Sequence, residues 1–121
     1  MLELMPNLPD RVLGVVASGE VSARDYETVL VPAVEAAIAK FGGVRVVYQI
    51  GPAFTGYSIG AAWDDMKLGI SNLRAWERVA VVTDVEWVAT ALRLFSFAVP
   101  CPERQFPNAE LAQAVQWAAE A

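Results

Sequence analysis

Two short stretches are apolar on both of their alternating faces, and they constrain the fold more than any other feature of the chain. They are RVLGVVAS at residues 11–18 and VAVVT at residues 79–83. A strand of this kind lies in the interior of a sheet that is covered on both sides. Such strands are typical of parallel sheets, so we expect a layered α/β fold.

A segment with helical spacing follows the first of these strands. Ser22 and Asp25 form a capping-box pattern, and apolar residues recur at helical intervals over residues 22–41. Pro32 lies inside this segment and is expected to kink or break it, because proline lacks an N–H and crowds the carbonyl four residues earlier. Gly42 should end the helix.

The remaining elements continue the alternation of strands and helices. Strands are predicted at 1–5, 11–18 (ended by Gly19), 44–50, 79–83 and 103–106, with GPAFTGY at 51–57 as a loop. Helices are predicted at 59–75, 86–99 and 108–119, the last of them capped by Asn108. The chain is therefore predicted to be a single domain over 1–121, with helices packed on a single mixed, mostly parallel sheet of about five strands.

Composition narrows the classes of function. Hydrophobic residues make up 55% of the 121 residues, and the net charge is −5. A nucleic-acid-binding protein needs clustered lysine and arginine side chains to displace counterions, so this charge argues against that class. It also argues against electrostatic docking on anionic lipid. We expect a globular protein without a nucleic-acid partner, for which any membrane contact is peripheral.

The chemical inventory argues against an enzyme. The chain has no histidine and a single cysteine, Cys101, which excludes an intrachain disulfide, Ser–His and Cys–His nucleophile pairs and the commonest zinc ligand. Asp64 and Asp65 are consecutive, so on a helix they point about 100° apart and are poorly arranged for one metal ion. We expect no catalytic residue, no metal and no cofactor.

The N-terminal segment MLELMPNLPDR has neither a basic region nor a long apolar region, so it does not resemble a signal peptide. No apolar run is long enough to span a bilayer. The expected location is the cytoplasm.

The stretch FTGYSIGAAWDDMKLG, residues 54–69, is the densest in chemistry. Its glycines are not followed by the Lys-Ser/Thr pair of a phosphate-binding loop, so a strand-to-helix turn is the preferred interpretation. Ser58 stands at the N-cap of the predicted helix, where a phosphate would be favourable. Ser58 is therefore a predicted cap and a candidate phosphorylation site.

Four segments together resemble the SpoIIAA-like family of small bacterial proteins, relatives of the STAS domains of anti-sigma-factor antagonists. They are GEVSARDYETVLVPAVEAAI at 19–38, FTGYSIGAAWDDMKLG at 54–69, ERVAVVTDVEWV at 77–88 and RQFPNAELAQAVQW at 104–117. The resemblance implies a β/α superhelix, similar to STAS and CRAL-TRIO domains. It also implies a non-enzymatic role in regulation or in binding a lipid-like ligand.

STAS antagonists carry a phosphorylatable serine after a strand, in an Asp-Ser-Ser/Gly context. Ser58 holds the matching place here, with Tyr57 before it and Ile59 after it. The resemblance therefore implies an alternative function, a phosphorylation switch that acts through Ser58.

The leading hypothesis is a domain that binds a small apolar ligand, lipid-like or aromatic, or a protein or membrane partner. The pocket is expected beyond the carboxyl ends of the strands, where the loop at 51–57 would meet the helix interrupted at Pro32. Its candidate lining residues are Tyr26, Leu30, Phe54, Tyr57, Ser58 and Trp63. The alternative is that these side chains fill the space themselves.

The helix predicted at 86–99 carries an apolar arc too wide for one core contact. Leu94 and Phe97 would be exposed in a monomer, and exposed apolar patches often mark an interface. We therefore expect a homodimer with Leu94 and Phe97 in its interface.

Overall fold

The computed structural model describes residues 1–57, 75–84 and 101–120, and in these ranges the chain forms a five-stranded sheet. The strands lie side by side in chain order: β1 (Leu2–Leu4), β2 (Val12–Val21), β3 (Val44–Tyr57), β4 (Trp76–Thr83) and β5 (Glu103–Phe106). Strand β1 is antiparallel to β2, and the other neighbouring pairs are parallel. The predicted mixed, mostly parallel α/β sheet is confirmed.

The helical segment after β2 has three parts, and its interruption near Pro32 is confirmed. A single α-turn, α1 (Ala23–Asp25), leads into a π-helical turn (Tyr26–Leu30), which is followed by α2 (Val31–Phe41). Pro32 occupies the first turn of α2, where its missing N–H costs least. The wider π-helical turn directly before it relieves the crowding that a proline ring imposes on the preceding turn.

Both ends of this segment follow the local chemistry of the sequence. The Ser22 N–H donates to Asp25 Oδ2 at 2.8 Å, and the Asp25 N–H donates to Ser22 Oγ at 3.3 Å, a reciprocal capping box. At the other end Gly42 takes a left-handed conformation with φ of 78°, and its N–H bonds to the Ile38 carbonyl at 2.8 Å.

Strand β3 is longer than predicted, and the expected loop at 51–57 is wrong. These residues continue β3 and pair with the end of β2, with Phe54 opposite Gly19 and Tyr57 opposite Val21. Register shifts on either side of Gly19 absorb the extra residues of β3, which include Pro52. A bulge leaves a residue out of the ladder, so proline and glycine can be accommodated there without ending the strand.

The prediction that Gly19 ends β2 is wrong for the same reason. Gly19 has φ of 57°, a conformation that glycine adopts without steric cost, and the strand continues through it to Val21. The sequence suggests that the strand ends at Gly19, but the bulge there only bends it.

The last helix, α3 (Leu111–Ala119), follows a 3₁₀ turn (Asn108–Glu110) and packs on the opposite sheet face from α2. The predicted N-cap role of Asn108 is wrong, since no side-chain capping bond is formed at the start of the 3₁₀ turn or of α3. The Asn108 amide nitrogen instead donates to the Ile50 carbonyl at 3.4 Å and to Asp84 at 3.2 Å. The Asn108 side chain therefore binds the Ile50 carbonyl and Asp84 instead of capping the helix.

The core lies on both faces of the sheet. Val47, Ala80 and Val82 pack under α3 together with Ala114 and Ala118, all of them fully buried. On the other face, Val34 of α2 packs on Val44 and Val46. The helices predicted at 59–75 and 86–99 lie outside the described residues, apart from Ala75.

Candidate functional site

An apolar cluster lies towards the carboxyl ends of β2 and β3, on the sheet face that carries α2. We call it the carboxyl-end cluster, and each member is at most 3% exposed: Leu2, Val15, Ala17, Val21 and Ile50. Four half-buried side chains pack on it, namely Val29, Leu30, Tyr48 and Phe54. The cluster is therefore a buried apolar floor with a partly accessible rim.

The structure brings two of the predicted pocket residues together. Leu30 is the last residue of the π-helical turn, and Phe54 lies in the extension of β3, and both contact the carboxyl-end cluster. Their convergence depends on the pairing of β3 with β2 beyond Gly19, which holds Phe54 over the floor. Phe54 is therefore placed by a strand rather than by a loop.

The other predicted site residues are described only by their backbone or not at all. Tyr26 begins the π-helical turn, and Tyr57 is the last residue of β3. Ser58, Trp63, Leu94 and Phe97 lie outside the described residues, as do Asp64 and Asp65.

One premise of the predicted pocket needs correction. The crevice that favours ligands in open α/β sheets arises where the strand order reverses. Among the described strands the order follows the chain from β1 to β5 without reversal. In the described ranges, the predicted pocket residues Leu30 and Phe54 therefore meet on one face of the sheet, and no reversal of strand order lies beside them.

A polar network, which sequence reasoning missed, joins the middle of β3 to the carboxyl end of β4 on the α3 face. Gln49 Nε2 donates to Asn108 Oδ1 at 3.2 Å, and the Asn108 N–H donates to Asp84 Oδ1 at 3.2 Å. Together with the side-chain bonds of Asn108, these contacts tie the start of the 3₁₀ turn to two central strands. Their role in the described residues is to position α3.

Two arginines that the sequence analysis did not single out hold the other end of α3. Arg45 is 9% exposed, and its Nη1 donates to the carbonyl of Ala118 at 2.9 Å and to that of Glu120. Arg45 Nη2 also donates to Glu77 at 3.2 Å.

Arg78 is directly opposite Arg45 in the β3–β4 register. It donates to the Trp117 carbonyl at 2.6 Å, and its guanidinium lies 5.0 Å from the centre of the Trp117 ring. Two adjacent cations on neighbouring strands normally repel each other. Here the last carbonyls of α3 carry the negative end of the helix dipole and accept from both guanidinium groups. The pair is therefore an anchor for α3, with terminal nitrogens of both guanidinium groups bonded to its last carbonyls.

The burial of Arg45 could have been predicted from the alternation of side chains in VRVVYQI, residues 44–50. This alternation places Arg45 on the same strand face as Val47. Only the docking of α3 shows which acceptors that guanidinium meets.

The titratable groups of the described residues have structural surroundings. The bond from the Ser22 N–H lowers the pKa of Asp25 below its ordinary value of 3.8. Burial raises the pKa of the Cys101 thiol, with a smaller contribution from the nearby Glu103, and the thiol is therefore neutral at pH 7. In the described residues no group of three histidine, cysteine or acidic side chains could hold a metal ion.

The comparisons with known proteins give the family. The model of the SpoIIAA-like family matches residues 12–119, so the chain belongs to this family. Among solved structures it is similar to an uncharacterised protein of the DUF3478 family from Shewanella loihica, whose crystal structure shows a SpoIIAA-like fold. That likeness has a TM-score of 0.74 and 27% identity, and covers 98% of this chain and 93% of the other. The search of curated proteins found no match.

The helices in the described part of the chain are too short or too polar to cross a membrane.

Proposed function

We propose that this SpoIIAA-like domain is a non-enzymatic binding domain, and that it takes a small apolar ligand at the rim of the carboxyl-end cluster. The observation that carries this proposal is the convergence of Leu30 and Phe54. They come from a helical turn and from a strand extension, and both are half-buried over a floor that is fully buried.

The chemistry of this region favours an apolar ligand. Small-molecule sites are mostly apolar and concave, with few polar groups. The floor consists of aliphatic side chains, and Phe54 adds an aromatic edge to the rim. A ligand that covered the remaining exposed surface of Leu30 and Phe54 would gain roughly 25 cal/mol per Å² of apolar area removed from water.

The net charge of −5 bears on the choice of probe. An anionic fatty acid approaches an acidic protein against a weak repulsion that salt screens. An uncharged ligand of the same chain length avoids this term. Comparing dodecanoate with dodecanol therefore separates the apolar contribution from the effect of the headgroup.

The experiment measures the melting temperature and the tryptophan fluorescence of the protein while each probe is added. At a free concentration ten times the Kd, a ligand stabilises the folded state by about 1.4 kcal/mol and raises the Tm by roughly 5 °C. We expect Phe54→Ala to weaken binding by about tenfold, which corresponds to about 1.4 kcal/mol.

The chain offers a matched control in Phe41, which is also a half-buried phenylalanine but lies at the end of α2 near the start of β3. Phe41→Ala should leave the affinity unchanged. Equal loss in both variants would mean that stability rather than contact is being measured. If neither probe shifts the Tm, or if an experimental structure shows the rim side chains filling the space without a void, the ligand proposal is wrong.

A second candidate is the phosphorylation switch. It is supported by the family and by one observation: β3, a central parallel strand, runs through Tyr57, the residue that precedes Ser58 in the sequence. Phosphorylation there would add about two negative charges and three acceptor oxygens. Mass spectrometry of the protein purified from its native cells tests for it. A single unmodified mass, with no change in partner binding in Ser58→Asp, would count against it.

The homodimer through Leu94 and Phe97 stays a prediction. Sedimentation analysis tests it, and a monomer at high micromolar concentration would contradict it.

A further inference from the structure

We propose that the carbonyl groups of Ser18 and Glu20 and the carboxylate of Asp25 form a site that selects a primary ammonium group and excludes an acylated amine. In the structure the α-amine of Met1 fills this site. Formylation or acetylation of that amine would then loosen the attachment of β1 to the sheet. The site stands independently of the proposed apolar ligand.

The amine of Met1 has three contacts with the described residues. It donates to the Ser18 carbonyl at 2.7 Å and to the Glu20 carbonyl at 2.6 Å. Its third neighbour is Asp25 Oδ2, at an ion-pair distance of 3.5 Å. A primary ammonium group has three N–H bonds and no acceptor. Three acceptors around one nitrogen therefore match its three N–H bonds, and no direction is left for an acyl carbon.

Only one of these contacts is the kind that an ordinary strand residue makes. Met1 lies opposite Ser18 in the continuation of the β1–β2 register, and the Ser18 N–H donates to the Met1 carbonyl at 2.9 Å. The bond from the amine to Ser18 completes the reciprocal pair of an antiparallel ladder, and the single N–H of an amide could also make it. The contacts with Glu20 and Asp25 need the additional N–H bonds and the positive charge.

The backbone conformation of Gly19 makes the double carbonyl contact possible. Carbonyls two residues apart in a regular strand lie roughly 6.6 Å from each other, twice the rise per residue, so one nitrogen could not reach both at the distances observed here. Gly19 lies between Ser18 and Glu20 with φ of 57°, and the β2–β3 register shifts on both sides of it. This bend in β2 draws the two carbonyls together around the amine.

Asp25 supplies the negative charge of the site and connects it to the helical segment. Its Oδ2 also accepts from the Ser22 N–H at 2.8 Å, in the capping box. The pKa of Asp25 is held below its ordinary value first by that N–H and, by a smaller amount, by the charge of the terminal amine. At neutral pH an ionised carboxylate therefore faces the ammonium group.

An acyl group on Met1 would remove the positive charge and leave the nitrogen with a single N–H. That N–H can keep the ladder bond to Ser18, but the Glu20 carbonyl loses its donor and Asp25 loses its counter-charge. Leu2, the next residue, is 3% exposed in the carboxyl-end cluster, so the position of the amine also bears on a core side chain. Acylation should therefore loosen β1 from its first residue inward.

The experiment compares two forms of the full chain with Met1 as the first residue, one with a free amine and one with an N-formyl group. Expression with an inhibitor of peptide deformylase supplies the second form, and its mass identifies it. We expect formylation to lower the Tm by about 3 °C and to speed hydrogen exchange of the Ser18 amide by about tenfold. The Met5 amide, which donates to the Gly14 carbonyl at 2.9 Å beyond the other end of β1, should change less. An equal Tm and equal Ser18 exchange in the two forms would overturn the proposal.

Two variants separate the loss of the ammonium group from the bulk of the formyl group. In Asp25→Asn the effect of formylation on the Tm should fall to about half, because the charged partner is already absent. Glu3→Gln is the matched control, since Glu3 is an exposed acidic residue of β1, and there the effect should be as large as in the wild type. A full effect in Asp25→Asn would show that the formyl group acts through its bulk, and selection for an ammonium group would be wrong.

A chain with one glycine placed before Met1 is a second test that needs no formylation. It keeps a positive charge nearby, but the Met1 nitrogen becomes an amide with one N–H. We expect this extension to lower the Tm as much as formylation does. If the extended chain has the Tm of the wild type, a nearby charge is sufficient and the geometric selection is wrong. If the formylated chain does not fold, the extended chain decides.

Discussion

Helix α3 and the helical segment of residues 23–41 lie on opposite faces of one sheet and are held there by different forces. Polar contacts hold α3 at both ends: Asn108 binds the sheet at its start, and Arg45 and Arg78 bind its last carbonyls. The other segment is held by apolar packing, in which Val34 is buried and Leu30 contacts both apolar clusters of this face. Directional bonds fix the position of a helix more narrowly than apolar packing does, because hydrophobic burial is non-directional.

This difference suggests that the two faces of the sheet have different roles. On the α3 face, Asn108, Arg45 and Arg78 bind within the protein, and the small side chains Ala114 and Ala118 are fully buried against the sheet. This face is suited to hold the sheet rigid. The opposite face carries the half-buried rim and the π-helical turn, and the proposed ligand site lies there.

The largest expected effect comes from removing the anchor of α3. Arg45→Ala would leave the carbonyls of Ala118 and Glu120 without their donor in a buried setting, and we expect a loss of about 3 kcal/mol of unfolding free energy. Chemical denaturation measures it. Arg45→Lys keeps the charge but not the planar fork, so its cost should be intermediate.

Arg104→Ala is the control for this prediction, because Arg104 is an exposed arginine that stacks on Phe106 of the same sheet face. Its loss should cost less than about 1 kcal/mol. If Arg45→Ala costs no more than Arg104→Ala, the polar anchor does not hold α3, and the contrast between the two faces disappears.

A smaller effect is expected at the end of α2. Gly42 has φ of 78°, so Gly42→Ala should cost about 1 kcal/mol. Gly42→Asn should cost less, since asparagine tolerates the left-handed conformation better than alanine does. Thermal unfolding of the two variants measures the difference. Equal costs would show that space, rather than backbone conformation, is limiting at this cap.

The smallest effect concerns the capping box at the start of the helical segment of residues 23–41. The folded state lowers the pKa of Asp25, so its contribution to stability is present above the ordinary pKa of 3.8 and is lost as the pH falls through the folded value. At pH 7, Asp25→Asn should cost at most about 1 kcal/mol.

The difference between wild type and Asp25→Asn should vanish at a pH well below 3.8. Urea denaturation at a series of pH values measures it, and the subtraction removes the titration of the other carboxylates. A difference that persists in strong acid would mean that the box acts through the neutral side chain, not through its charge.

Much of the architecture could be predicted because it follows from local patterns. The strand predicted at 103–106 has those bounds in the structure, and the helix break at Pro32 is present as a π-helical turn. Apolar periodicity, a capping box and a proline's missing N–H act within a few residues, so they are visible without knowing the fold.

The candidate site was only partly predictable. Leu30 and Phe54 were selected from the sequence, but Phe54 was expected on a mobile loop. Glycine and proline at 51, 52 and 56 are turn signals, and a bulged pairing with a distant strand overrode them. Val29 and Tyr48 also belong to the rim, although the sequence analysis did not select them. Their positions depend on the angle at which the helical turn meets the sheet.

The sequence by itself determined the α/β class, the alternation of strands and helices, the caps at Ser22 and Gly42 and the break at Pro32, because each depends on neighbours along the chain. Only the tertiary structure decided the length of β3, the partners of Asn108 and the acceptors of Arg45. These depend on residues far apart in the chain, such as Phe54 with Gly19, Asn108 with Ile50 and Arg45 with Ala118. A buried polar group takes the partner that packing brings within reach, and that choice is made only when the helices dock on the sheet.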